Sequence, residues 1–272
     1  MNDIVNQLAL TNLKPAESRL AAILARPRTI AIVCVITLAA LGWSACGLML
    51  AGSTNAWFDA LCRPALARDF GLAGAALTLA MWAAMTLAMM LPTAGPMVLT
   101  YAEIADTAAR KSERVVSPIV LTTGYAAVWL GFAFIASLLQ ILLAFVALGN
   151  VAIMQALLAG AIFLIAGLYQ FSALKQACLT LCQRPFPFFF ANWTTAARGV
   201  FALGLRQGVY CLGCCWALML VMFAVGTMNV LWMATLGVLM TIEKMSTTAR
   251  FSRALGIVFV VIGIALIARE HS

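Results

Sequence analysis

Polar chemistry is scarce in this chain. Of its 272 residues, 10% are charged, nine are carboxylates and one is a histidine. A soluble domain is about half apolar and a quarter charged. Here 64% of the residues are hydrophobic, and the mean hydropathy is +1.03. Too little polar surface exists to coat a globule of this size. A soluble enzyme, a disordered tail and a disulfide-stapled secreted module are therefore excluded. The single histidine, His271, rules out a bis-histidine haem and a histidine-rich zinc or di-iron centre within the chain. Glu243 is the one acid within a long apolar run, which argues against a proton relay of several buried acids.

Long apolar runs are plentiful instead. They fall at about 29–51, 70–97, 118–147, 151–174, 208–226, 230–246 and 252–269, each near the roughly 20 residues a bilayer-crossing helix needs. The expected fold is all-α: a polytopic transmembrane helix bundle of about seven spans. Residues 1–28 form an N-terminal cytoplasmic segment ahead of a single transmembrane domain, 29–272. The last three spans are short, so one of them suits a re-entrant path. Pro92 and Pro96 are expected to break the second span.

The net charge of +8 is an orientation signal. With a cytoplasmic N-terminus, Lys14, Arg19, Arg26, Arg28, Arg110, Lys111, Arg114, Lys175, Arg184, Arg198, Arg206, Lys244, Arg250 and Arg253 all fall on one side. Arg63, Arg68 and Arg269 fall on the other. This asymmetry follows the positive-inside bias, and predicts an N-in, C-out multi-pass protein of a bacterial-type inner membrane. The basic residues mark cytoplasmic loops and no nucleic-acid partner is expected. The stretch 183–206 carries Phe186, Phe188, Phe189, Phe190 and Trp193 ahead of Arg198 and Arg206. Aromatics beside arginines suit a loop lying in the headgroup layer.

Sulfur is abundant, with eight cysteines and fourteen methionines. Cys178 and Cys182 follow the fourth span, while Cys211, Cys214 and Cys215 open the fifth. Separations of three and four place helical side chains on one face, and the intervening loop starts and ends on the same side. Any one cysteine is by default a small packing residue. Five at one membrane face favour soft-metal or redox chemistry, since thiolates suit Cu(I), Zn(II) and iron–sulfur clusters. Reducing conditions in the cytosol disfavour a permanent disulfide there. Cys34 lies near the same face, and Cys46 and Cys62 nearer the other. Met81, Met85 and Met89 form a stripe that Met90 and Met97 extend. Such a stripe ordinarily fills a core, yet thioethers also bind Cu(I). Met85, Met89 and Met97 are the candidate secondary ligands. Glu243 is a candidate supporting group or simply a partner for Lys244. Lys175 suits an interfacial anchor or a cation beside Cys178.

Read together, Trp82-x-x-Met85-x-x-x-Met89-Met90-x-Pro92, Tyr169-Gln170 with Lys175 and Cys178-x-x-x-Cys182, Cys211-x-Gly213-Cys214-Cys215-Trp216-x-Leu218-Met219 and Glu243-Lys244 form one pattern. It resembles the domain of unknown function 2182 family of predicted metal-binding integral membrane proteins, over roughly residues 70–250. The resemblance implies a bound metal without naming it. The leading expectation is a membrane protein that handles copper by acquisition, transfer or maturation of a partner, with zinc or an iron–sulfur cluster as other occupants. A metal-donor or metal-acceptor protein is the partner expected besides the lipid bilayer. The alternatives are a membrane thiol oxidoreductase using the same cysteines, and a structural subunit or transporter without bound metal. No catalytic constellation is visible, and whether the protein is an enzyme stays open.

Overall fold

The computed structural model describes residues 72–146, 151–225, 230–246 and 248–270, with six further positions between 33 and 44. The 1–28 segment, most of the first expected span, Cys34, Cys46 and Cys62 lie outside the described residues. The described chain is almost entirely helical: α1 (Leu72–Arg110), α2 (Pro118–Val146), α3 (Val151–Tyr169), α4 (Ala173–Gln183), α5 (Pro185–Ala191), α6 (Ala197–Val225), α7 (Val230–Met245) and α8 (Arg250–Glu270).

Helices α1, α2, α6 and α8 are long and apolar enough to cross a membrane. Helices α3 and α4 meet that test as a pair, bent by 65°. The α7 helix coincides with the expected sixth span, but its 16 residues are short for a perpendicular crossing. The bundle is arranged for an apolar solvent. Phe134, Ile135, Leu138 and Leu142 of α2, Leu168 of α3 and Val258, Val261 and Ile264 of α8 are exposed, while Lys175, Glu243, Gln170 and Gln207 are buried. Membrane bundles put polar side chains inside in this way, because hydrocarbon offers them no partner.

Small residues set the closest helix crossings. A Cβ at Gly204 of α6 would strike the Leu121 carbonyl of α2, and a Cβ at Gly124 of α2 would strike the Phe201 carbonyl of α6. The α3 and α8 helices use the same device twice, Gly160 against Gly263 and Gly167 against Gly256. Equal seven-residue steps in opposite directions fix an antiparallel register. Without a hydrophobic drive between helices in lipid, such close backbone contact is a main source of association.

Two local features differ from expectation. The α1 helix runs through Pro92 and Pro96 unbroken. Pro92 has no N–H to offer the Ala88 carbonyl four residues back, and the Trp43 indole donates to that oxygen at 3.0 Å. A tertiary partner thus replaces the lost helical bond. The aromatic stretch is also largely helical rather than a loop, since α5 and the start of α6 leave only residues 192–196 between them. Phe189 is fully buried, its ring 5.6 Å from that of Tyr101, so it pins α5 to α1. Phe186 and Phe190 are exposed and stacked on each other.

The real break lies between α3 and α4. The last turn of α3 tightens through i to i+3 bonds from the N–H groups of Gln170, Phe171 and Ser172. Ser172, with extended backbone, then caps α4 by accepting the Lys175 N–H at 3.2 Å. The turn swings Lys175, Cys178, Leu179 and Cys182 toward α6 and α7.

Candidate metal centre

Helix α6 carries the centre. Cys211, Cys214 and Cys215 are each at most 2% exposed, and their sulfurs all lie within 4.8 Å of one another. The Cys214 and Cys215 sulfurs are 3.3 Å apart. The Cys214 thiol also donates to the Cys211 carbonyl at 3.1 Å, one turn back along the helix. Neighbours in sequence point about 100° apart on a helix, yet Cys214 and Cys215 both face inward because α6 is packed on several sides.

Helix α4 adds Cys182, whose sulfur is 4.0 Å from that of Cys214. Cys178, one turn earlier, does not join the group of three. Its side chain lies on Gly213, where a Cβ would stand 2.6 Å from the sulfur. The glycine of the Cys-x-Gly-Cys-Cys pattern is therefore a seat for the Cys178 side chain. Tyr169 donates to the Gly213 carbonyl at 2.5 Å, and its ring packs edge-on against Trp216 at 4.9 Å.

Around Cys211 the polar partners come from three other helices. Lys244 of α7 donates to the Cys211 sulfur at 3.0 Å and to the Thr93 hydroxyl of α1 at 2.6 Å. The Tyr125 hydroxyl of α2 is also 3.0 Å from that sulfur, and 3.1 Å from the Met90 carbonyl to which it can donate. An ammonium and a phenol thus converge on one thiol, and the ammonium can offset negative charge developed there.

Glu243 and Lys175 play a different part from the one their sequence positions suggest. Lys175 is fully buried rather than an interfacial anchor. It donates to the Glu243 carboxylate at 2.8 Å and to the Cys214 carbonyl at 3.1 Å. The other Glu243 oxygen accepts from the Ser252 hydroxyl of α8 at 2.5 Å. Gln183, at the end of α4, donates to the Glu243 and Ser246 carbonyls. The pair Glu243–Lys244 therefore splits, with the acid turned to Lys175 and the base to Cys211. Met85, Met89 and Met97 sit on α1, buried in the core that also holds the cysteines.

Among the expected residues, the structure brings together Cys211, Cys214 and Cys215, with Cys182 beside them, and sets Cys178 apart on Gly213. Lys244, Tyr125 and Thr93 are the contacts that spacing did not point to. Lys244 had a signal, being a cation at the end of an apolar run. Tyr125 and Thr93 had none, since both lie in other apolar helices.

The donor set fits a soft ion. Among the described residues no carboxylate joins the sulfur cluster, and the buried acid beside it is already engaged by Lys175 and Ser252. Clustered thiols in an apolar interior suit Cu(I). Structural zinc and iron–sulfur clusters are usually held by four ligands, and among the described residues three sulfurs are mutually close. The fold and site define a helical bundle with membrane-spanning character and a buried cysteine cluster able to bind metal. The chain belongs to the family described as PpoB2, copper chaperone, which it matches over residues 79–266. That stretch contains every residue of the site, and the family's description names copper, in line with the metal that the motif resemblance implies. No curated protein and no solved structure matches the chain.

Proposed function

We propose that this protein is a multi-pass inner-membrane copper chaperone that holds Cu(I) on Cys211, Cys214 and Cys215 and passes it to or from a partner at the cytoplasmic face. The observation that carries this reading is the buried group of three sulfurs within 4.8 Å, in a chain of a copper-chaperone family. Copper is the cargo, and the chain's contribution is a dry thiol cage with a cation, Lys244, beside one sulfur.

The position of the cage along the spans supports the cytoplasmic assignment. Thr93 is near the end of the 70–97 run, Cys211 near the start of 208–226 and Lys244 near the end of 230–246. All three ends adjoin the basic segments that the positive-inside bias assigns to the cytoplasm. Met85, Met89 and Met97 are assigned as secondary ligands or a relay along α1, Met85 and Met89 further into the apolar run than Thr93 and Met97 at its end.

Element analysis of protein purified anaerobically in detergent tests the reading. Wild type is expected to hold near-stoichiometric copper, and Cys211→Ser/Cys214→Ser to hold none. Unchanged copper in the variant refutes the site, and iron with acid-labile sulfide refutes the cargo. The contact between Cys214 and Cys215 at 3.3 Å supports a second reading, a thiol oxidoreductase. Thiol trapping separates the two: reversible oxidation in cells favours the oxidoreductase, whereas thiols that stay reduced and are shielded by metal favour the chaperone.

A further inference from the structure

The five described cysteines differ in accessibility. Cys211, Cys214 and Cys215 are buried, whereas Cys178 and Cys182 are partly exposed. These two partly exposed residues occupy successive turns of α4, on the face that also buries Lys175 and Leu179. Cys182 is 4.0 Å from Cys214. Cys178 rests on Gly213, the residue next to Cys214. The sulfurs thus form a graded series from the surface of α4 into the interior of α6.

A donor protein cannot touch sulfurs that are no more than 2% exposed. Metal must reach them through intermediate ligands or through an opening of the bundle. The described contacts offer the first route without separating helices, because α4 is clamped to α6 and α7 through Lys175.

We propose that Cys178 and Cys182 are an acceptor relay that takes Cu(I) from a thiol-bearing donor at the cytoplasmic face and hands it to the buried group of three. This rests on the copper reading above and adds to it a route and a partner chemistry. Each handover forms one Cu–S bond to the incoming sulfur and breaks one to the departing sulfur. The proton lost by the incoming thiol is taken up by the departing thiolate, and copper remains Cu(I) throughout, so no oxidant or reductant is consumed. Gly213 belongs to the device, because any side chain there would displace the Cys178 sulfur from α6.

The test separates rate from capacity. Full-length reduced protein in detergent is mixed rapidly with Cu(I) held by glutathione, and the rise of copper–thiolate charge-transfer absorbance is followed. Cys178→Ser and Cys182→Ser are expected to bind the same copper per chain as wild type at equilibrium, but to load it at least about tenfold more slowly. Gly213→Ala keeps every cysteine and crowds the Cys178 side chain, at its sulfur above all, so it should also slow loading at unchanged capacity. Rates within about twofold of wild type in both serine variants overturn the relay. Loss of bound copper in either one overturns it too, by making that cysteine a holding ligand. A wild type that takes up no copper refutes the chaperone reading itself, and is thereby distinguished from failure of the relay alone.

Discussion

At the scale of single residues, the arrangement around Cys211 decides how the cage treats charge. A Cu(I) ion held by two or three thiolates carries net negative charge in an apolar interior. The Lys244 ammonium 3.0 Å from the Cys211 sulfur is placed to offset it. Hydrogen bonds to charged groups contribute about 1.5–3 kcal/mol, so Lys244→Met is expected to weaken Cu(I) binding by about 10- to 100-fold. Competition against a chromophoric Cu(I) chelator measures this, and an unchanged affinity removes Lys244 from the site. Met89 gives a second test at this scale. If the α1 methionines ligate, Met89→Leu, which changes packing little, should shift the copper absorption edge or shorten copper retention. A spectrum and retention equal to wild type reduce Met89 to a core residue. Spacing made the cysteines legible, because residues three and four apart share a helix face. It did not reveal Lys244 as the thiol's partner, because Lys244 and Cys211 are 33 residues apart and only the packing of α7 joins them.

At the scale of elements, the buried Lys175–Glu243 pair holds the short helix α4 against the rest of the bundle. It ties α4 to α7, and through Ser252 to α8 and through the Cys214 carbonyl to α6. Removing one partner of a buried ion pair costs about 3–5 kcal/mol, whereas replacing both by apolar groups is often nearly neutral. Lys175→Met is therefore expected to destabilise the protein strongly in thermal unfolding in detergent. Adding Glu243→Leu should recover much of that loss. A double variant as unstable as the sum of the single ones would show that the pairing does not act as a unit. The apolar runs predicted most of the helices, because roughly 20 apolar residues in lipid have few alternatives to a helix. They did not predict the 65° bend between α3 and α4. Nor did they predict continuity through Pro92, where Trp43, 45 residues before Ala88, replaces the missing bond.

At the scale of the whole molecule, sidedness is the property to test. The proposed cytoplasmic placement of the cage rests on the basic residues that adjoin its span ends. Cys178 is partly exposed, so a membrane-impermeant maleimide should label it in inside-out vesicles and not in intact spheroplasts. A Cys178→Ser control subtracts reaction at other thiols. The reverse pattern would invert the topology and move the copper exchange to the opposite side.

Composition alone determined the solvent and the helical class. A chain with 10% charged residues cannot cover itself for water, and a chain in lipid must satisfy its backbone internally. Local spacing determined which cysteines share a face, and charge asymmetry gave the expected orientation. Tertiary structure decided which cysteines meet, since Cys178 and Cys182 sit one turn apart on α4, yet Cys182 approaches Cys214 to 4.0 Å while Cys178 rests on Gly213. It also decided that Glu243 turns to Lys175 and Lys244 to Cys211. The reason is physical. Helix formation and membrane burial depend on neighbours within a turn or on bulk composition. The phase, tilt and bend that bring distant side chains together depend on packing between helices, where glycines, capping residues and a few buried polar contacts set the geometry.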